Sequence, residues 1–374
     1  MKRLVLAGAG HAHALLLLGL QHAPLRDTEV LVVSPQPLAP YSGMVPGWLS
    51  GAYRFDEIVV DFPRLAATVG ARWLTGEIDA VDADRQRLHL ADGSEIGYDL
   101  LSLNLGSTLR PPQADGVSML PLRPLAALRG NFERLLAERA SAAGDKPMVV
   151  SAVGGGAAGF EALLAVLARL RPERPERPVS GRLLTRGALL LPGLPARARR
   201  AAERALAEAG VRLQTGTPWS DEVAAGSDVV LWATGAEAHD WQRDPQRRGS
   251  LAVDDAGFVR IDAALRSVSH PQVFASGDCA AWPAGSLPKA GVFAVRMAPV
   301  LARNLRHVLG EAAAPQEPYR PQRQYLVLLA TANRRAIAVR GPFSAEGAWA
   351  WRLKDHIDRG FIARFSAPQP AGRG

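Results

Sequence analysis

Two glycine-rich segments carry residue types suited to gripping the pyrophosphate of a dinucleotide. The first, Leu4-Val5-Leu6-Ala7-Gly8-Ala9-Gly10-His11-Ala12-His13, lies at the start of the 374-residue chain. The second is Val149-Val150-Ser151-Ala152-Val153-Gly154-Gly155-Gly156-Ala157-Ala158-Gly159. In each, a short apolar run feeds a tight turn and then a helix. Phosphate oxygens can then approach bare backbone and meet the N–H groups at the helix start. A third segment, Val273-Phe274-Ala275-Ser276-Gly277-Asp278, ends a strand on an acid. Together the three predict a chain that holds two dinucleotides and passes electrons between them.

In the first loop Gly8 permits the turn and Gly10 permits close phosphate approach, with Ala9 and His11 completing the cradle. The usual third glycine is His13. His11 and His13 stand two apart on a starting helix and so diverge, which favours packing or phosphate lining; no metal site is expected. Ser34 stands where an acid usually meets the adenosine ribose and can make one hydrogen bond there. The second loop is complete in Gly154, Gly156 and Gly159, with Ala158 beside the pyrophosphate. Its following strand, Leu183-Leu184-Thr185, also lacks an acid and leads into Arg186. A cation there suits a 2′-phosphate and tilts the expected donor from NADH toward NADPH; the alternative is that Arg186 points into water.

Glu161, two residues past Gly159, has two readings: a helix-start carboxylate complementing the dipole, or a proton-handling group beside the nicotinamide–flavin contact. Asp278 is placed to accept bonds from ribityl hydroxyls, because a buried acid without partners is costly. Pro288-Lys289-Ala290 reads as a helix start that brings N–H groups and the Lys289 ammonium to the flavin pyrimidine edge. Glu161 and Lys289 are therefore the catalytic candidates. Tyr41, Met44, Gly106, Ala290 and Gly235 complete the expected cofactor contacts. Cys279 reads as a small buried apolar residue.

These residues need strand ends and helix starts to hold them. Residues 2–7, 29–33 and 98–103 read as strands of one parallel sheet, with a β-meander over 72–101 turning at Asp92-Gly93. Residues 149–153, 183–185 and 228–235 repeat the plan, and 273–278 returns to the first unit. The segment Pro37–Gly47 reads as a Pro/Gly-rich loop. The expected class is α/β, with two Rossmann-like dinucleotide-binding domains and a small C-terminal α+β piece. The expected divisions are an FAD-binding part at 1–110, an NAD(P)H-binding domain at 111–245, a second FAD-binding part at 246–317, and a C-terminal domain at 318–374.

The composition, 48% hydrophobic and 21% charged, is that of an ordinary globular protein and excludes global disorder. The net charge is +8, yet the arginines are scattered and form no nucleic-acid module, so no nucleic-acid partner is expected. A single cysteine excludes an internal disulfide or dithiol pair. The first apolar run enters a glycine turn directly, so no secretory leader is expected, and no run approaches the roughly 18 residues of a membrane span. A cytoplasmic location follows, with a peripheral place on the cytoplasmic face of the membrane as a variant. That variant rests on Trp349, Leu353, Ile357, Phe361 and Phe365, which recur at four-residue spacing among Arg352, Lys354, Arg359 and Arg364. Such a basic amphipathic helix, interrupted at Gly360, can lie in a membrane interface, pack internally or build a homodimer.

The chain resembles the pyridine nucleotide-dependent flavoprotein oxidoreductases, and more particularly the oxidoreductase module fused ahead of some selenide, water dikinases. The resemblance is carried by Gly8–His13, Pro40-Tyr41-Ser42-Gly43-Met44-Val45-Pro46-Gly47, Pro288–Arg296, Ala332–Ala338 and the tail from Gly341 to Phe365. The layout is also similar to type II NADH:quinone dehydrogenases and sulfide:quinone reductases. In the former a glutamate at the position of Glu161 sits near the hydride-transfer site. The sulfide branch needs several cysteines, which are absent here, and Asn104-Leu105-Gly106 replaces the common Ala-Thr-Gly. The resemblance implies an enzyme with FAD and NAD(P)H as cofactors. It also implies a small-molecule electron acceptor, with a quinone the first expectation, reached past the Tyr41–Pro46 loop and the C-terminal piece. The alternatives are a flavoenzyme with a soluble acceptor or substrate linked to selenium metabolism, and a non-enzymatic flavin-binding redox sensor.

Overall fold

The computed structural model describes residues 1–141, 146–173, 175–285, 287–311 and 316–366. They fall into two compact units: 1–39, 59–108 and 236–321, and 40–58, 109–235 and 322–374. The segment 40–58 and the C-terminal piece thus group with the second unit.

The first unit is built on five parallel strands in the order Val273–Ala275, Leu100–Leu103, Lys2–Ala7, Thr28–Ser34, Arg72–Thr75. Leu4, Val5, Leu6 and Ala7 are wholly buried, as a strand covered on both faces requires. Ala7 pairs with Val33 on one side and Leu103 on the other, so the strand ends lie level. Strand order reverses at Lys2–Ala7, leaving a crevice between its end and that of Leu100–Leu103, where ligands bind in open α/β sheets. Helix His11–Leu20 follows the first strand, and helix Gly291–Leu309 buries Phe293, Met297, Leu301 and Leu305. An antiparallel meander, Ile78–Asp82, Arg87–Leu90 and Glu95–Gly97, turns at Gly93 with φ of +85°.

The second unit repeats the pattern with Ser118–Pro121, Val229–Trp232, Met148–Val153, Val179–Leu184 and Val211–Gln214, all parallel. Helix Ala157–Glu173 packs Phe160, Leu163, Leu167 and Leu170 into its core. An antiparallel sheet of Val327–Ala330, Ala336–Arg340 and Phe343–Gly347 leads into helix Ala348–Ser366. Among the described residues, no helix is long and apolar enough to cross a membrane.

Four local expectations change. The Pro37–Gly47 segment contains a tight turn at Ser42–Met44 and a helix at Val45–Leu49, because Pro46 occupies the first helical turn, where its missing N–H has no consequence. The helix after Pro288 begins only at Gly291, leaving Lys289 in the preceding turn. Gly360 does not break the last helix, since an exposed mid-helix glycine costs only about 1 kcal/mol. The face that helix buries is Ala350, Lys354, Asp358 and Ile362. Trp349, Leu353 and Ile357 are 49%, 36% and 43% exposed, so most of the expected apolar stripe faces outward.

Candidate functional site

In the first unit the glycine loop is shaped by a side chain from the neighbouring strand. Asn104 is buried, and its Oδ1 accepts the N–H groups of Ala12 at 3.0 Å and His13 at 3.4 Å. Its Nδ2 donates to the Ser276 carbonyl at 2.8 Å. A Cβ on Gly8 would lie 2.5 Å from the Asn104 carbonyl oxygen, one on Gly10 2.1 Å from Oδ1, and one on Gly277 2.8 Å from Nδ2. Asn104 thus joins three segments that each need glycine to approach it. His13 fills the place of the third glycine. Its Nδ1–H donates to the Gly8 carbonyl at 2.7 Å, and its Nε2 accepts from the Ser102 hydroxyl at 2.8 Å. Burial holds this imidazole neutral, pushing it down to about 4. His13 is therefore a packing residue.

His11 is also pushed down to about 4 by burial, against the pull of the nearby Asp278 carboxylate. Asp278 lies in the tight turn Gly277–Cys279, and the Ser107 hydroxyl reaches its Oδ2 at 3.4 Å. Lys289 donates to the Ala280 carbonyl at 2.7 Å and stands 3.7 Å above the Phe258 ring. Its ammonium is held by these groups, while Ala290 caps helix Gly291–Leu309. Ser34 is buried at its strand end, and Gly106, at φ of +72°, has open space on its Cβ side. Cys279 is buried, its thiol pushed up by desolvation.

In the second unit Gly154 and Gly159 are demanded by the chain itself. A Cβ on Gly154 would lie 2.2 Å from the Ala233 carbonyl oxygen, and one on Gly159 2.2 Å from that of Gly154. Gly155 packs against Thr185, whereas a Cβ on Gly156 would meet nothing within 4 Å. Ala158, Arg186 and Gly235 are exposed around this loop.

Glu161 is the fifth residue of helix Ala157–Glu173, and its Oε1 accepts the Ala330 N–H at 2.7 Å. Burial raises its carboxyl to about 7, opposed by the Lys354 ammonium and the Ala330 N–H and assisted by Asp358. Lys354 donates to Asp358 Oδ2 at 2.7 Å and to the Gly43 carbonyl. Burial also raises the Asp358 carboxyl, and the Tyr41 hydroxyl donates to it. The Tyr41 ring stacks on Phe361 with centroids 4.4 Å apart. A partly buried carboxyl raised toward neutral pH thus stands in the field of the buried Lys354–Asp358 pair. Tyr41 is bonded to that pair, while Met44 is wholly buried.

Sequence reasoning passed over Asn104 as a clamp, noting only its departure from Ala-Thr-Gly. It also missed Ser102, Lys354 and Asp358 as site-forming residues. The Lys354–Asp358 spacing of four was the available signal, but the apolar residues beside it outweighed it.

The loops fit dinucleotides on their own geometry. The N–H groups of Ala9 and Gly10, and of Gly155 and Gly156, donate to no protein acceptor among the described residues. Each pair lies at a helix start, where an anion is favoured. FAD would be held by Gly8–His11, Gly106, Asp278 and the start of helix Gly291–Leu309. The nicotinamide dinucleotide would be held by Gly154–Gly159. Bound there, FAD supplies a two-electron carrier between the nicotinamide and an acceptor.

Solved structures share this fold. A sulfide:quinone oxidoreductase from Aquifex aeolicus aligns with a TM-score of 0.76 at 16% identity, over 98% of this chain and 91% of that one. The Plasmodium falciparum NDH2 in complex with NADH aligns with a TM-score of 0.73 at 13% identity, over 98% and 99%. A water-forming NADH oxidase from Lactobacillus brevis aligns with a TM-score of 0.69 at 18% identity, over 91% and 75%. Residues 2–298 match the family model described as pyridine nucleotide-disulphide oxidoreductase. With that match over most of its length, the chain belongs to the pyridine nucleotide-disulphide oxidoreductase family as an FAD-dependent NAD(P)H oxidoreductase.

Proposed function

We propose that this oxidoreductase delivers its electrons to a quinone and that Glu161 supplies a proton to it. The observation that carries the reading is the Glu161 carboxyl, raised by burial to about 7 and held by the Ala330 N–H beside Lys354. Reducing a quinone to a quinol takes two electrons and two protons. A general acid titrating near the working pH suits that demand better than an ordinary carboxylate. Of the two readings left open for Glu161, this favours proton handling over a complement to the helix dipole.

The outer face of helix Ala348–Ser366 supports the same assignment. Trp349, Leu353 and Ile357 are exposed beside Arg352, with Arg359 ion-paired to Asp355 and Glu57 and Phe343 79% exposed on the preceding strand. A basic apolar face of this kind suits the interface of an anionic membrane, where quinones reside. One of the structural neighbours is a sulfide:quinone oxidoreductase, which agrees with a quinone at the acceptor side.

The test compares a short-chain quinone with ferricyanide, which takes electrons without protons, in steady-state turnover of the holoenzyme. Quinone is expected to sustain turnover, and Glu161→Gln is expected to lower the quinone-to-ferricyanide rate ratio by about 10²-fold, the scale of general acid catalysis. An unchanged ratio, or turnover confined to soluble acceptors, would remove the quinone assignment.

A further inference from the structure

We infer that the second dinucleotide loop selects the 2′-phosphorylated donor, NADPH, and that Arg186 is the residue that does so. This rests on the reading of the chain as an NAD(P)H oxidoreductase and narrows its donor. In a Rossmann-like unit, the residue at the end of the strand after the glycine loop meets the adenosine ribose. An acid there accepts the 2′-hydroxyl and repels a 2′-phosphate. Here strand Val179–Leu184 is followed directly by Thr185 and Arg186.

Thr185 is tied into the loop rather than left to a ligand. Its N–H donates to the Gln214 carbonyl at 2.9 Å, and its Oγ1 accepts the Gly187 N–H at 3.3 Å. Its side chain packs so closely on Gly155 that a Cβ there would lie 2.7 Å away. The strand end is thereby brought against the pyrophosphate loop, and the Leu191 N–H closes the following turn onto the Gly155 carbonyl at 2.7 Å. Arg186 is the next residue outward. It is exposed and has no hydrogen bond or ion pair among the described residues, whereas Arg182, on the same strand, is spent on Ser151, Gly226 and Ser227. The flanking stretches 185–195 and 214–220 contain no Asp or Glu. A phosphate on the ribose would meet an uncommitted guanidinium and no opposing carboxylate from either stretch, and guanidinium–phosphate pairs are among the strong charge-assisted contacts.

The experiment measures equilibrium binding of NADP⁺, NAD⁺, 2′,5′-ADP and 5′-AMP to the FAD-loaded protein by calorimetry, alongside anaerobic flavin bleaching by NADPH and NADH. NADP⁺ is expected to bind at least about tenfold more tightly than NAD⁺, and 2′,5′-ADP more tightly than 5′-AMP, as a guanidinium–phosphate contact requires. Arg186→Ala should collapse both ratios, with bound FAD and the circular dichroism spectrum retained. The double variant T185D/R186A should reverse the preference toward NAD⁺. Equal or tighter NAD⁺ binding by the wild type, or ratios untouched by Arg186→Ala, would overturn the inference. Bleaching by NADH alone would sink this inference and leave the oxidoreductase reading standing. Selective 2′,5′-ADP binding with no bleaching by either nucleotide would do the reverse.

Discussion

Lys354 and Asp358 form a buried ion pair, 2.7 Å apart, on a helix whose opposite side turns Trp349, Leu353 and Ile357 outward. The arrangement inverts ordinary amphipathicity. It is satisfied because Lys354 also donates to the Gly43 carbonyl and Asp358 also accepts from Tyr41. The pair therefore fixes the segment around Gly43 and sets the charge beside Glu161.

Breaking this pair from one side should be severe. Asp358→Asn leaves a buried ammonium short of its counter-charge, and a cost of about 3–5 kcal/mol in urea unfolding is expected. The two halves should move Glu161 in opposite directions. Lys354→Met removes an opposing cation and should raise its titration further, whereas Asp358→Asn should lower it. Identical shifts from both variants would show that Glu161 does not sense the pair.

Glu161 also links stability to pH. Its carboxyl is raised in the folded protein from 4.5 to about 7, so the folded state holds a proton that the unfolded chain releases. The resulting stabilisation is fully present below about 4.5 and is lost as pH rises through about 7. Glu161→Gln keeps the acceptor for Ala330 without the charge. It should be more stable than wild type at pH 8, by up to about 3 kcal/mol, and should show no advantage at pH 4. Urea midpoints at the two pH values read this directly.

His13 carries the opposite linkage. Its ring is lowered from 6.5 to about 4, so the stability it contributes is present above 6.5 and is lost as pH falls through about 4. His13→Ala would strip partners from the Gly8 carbonyl and the Ser102 hydroxyl. A loss of about 1–3 kcal/mol at pH 7 is expected from the unsatisfied groups, with a cavity term added. Thermal unfolding of wild type and variant between pH 4 and 8 should show the acid-side slope only in wild type.

Asn104 should control FAD affinity without touching the flavin ring. Asn104→Ala removes the acceptor at the start of helix His11–Leu20, worth about 1–2 kcal/mol as a cap, and frees the loop of Gly8 and Gly10. FAD dissociation constants, read by fluorescence quenching on the apoprotein, should rise about tenfold. Asn104→Asp keeps the acceptor but loses the donor to Ser276 and adds negative charge near the diphosphate. It should bind FAD more weakly still.

The outward stripe gives the membrane assignment its own test. Replacing Trp349, Leu353 and Ile357 together by serine should abolish co-sedimentation with anionic vesicles. Their exposure means that folding should survive. Vesicle binding unchanged by the triple variant would assign the stripe to another partner.

Much of this was readable from residues alone. The two glycine loops announced themselves because a strand covered on both faces must be apolar and a tight turn must be glycine; both sheets follow from that grammar. The position of Glu161 was readable for the same reason, lying two residues from Gly159. Long-range choices were not readable. That Gly10 answers to Asn104, that His13 reaches Ser102, and that Lys354 rather than Leu353 turns inward all depend on segments far apart in the chain. A four-residue apolar spacing could not reveal that the interior offered Gly43 and Tyr41 to a buried charge pair.

The most direct measurement is anaerobic stopped-flow reoxidation of the NAD(P)H-reduced holoenzyme by a short-chain quinone, between pH 5.5 and 8.5, for wild type and Glu161→Gln. The wild-type rate should fall as pH rises through about 7, following loss of the Glu161 proton. That inflection should vanish in the variant, with the rate reduced about 10²-fold below pH 7. A pH-independent rate that is the same in both proteins would contradict the role assigned to Glu161 and, with it, the proposed delivery of protons to a quinone.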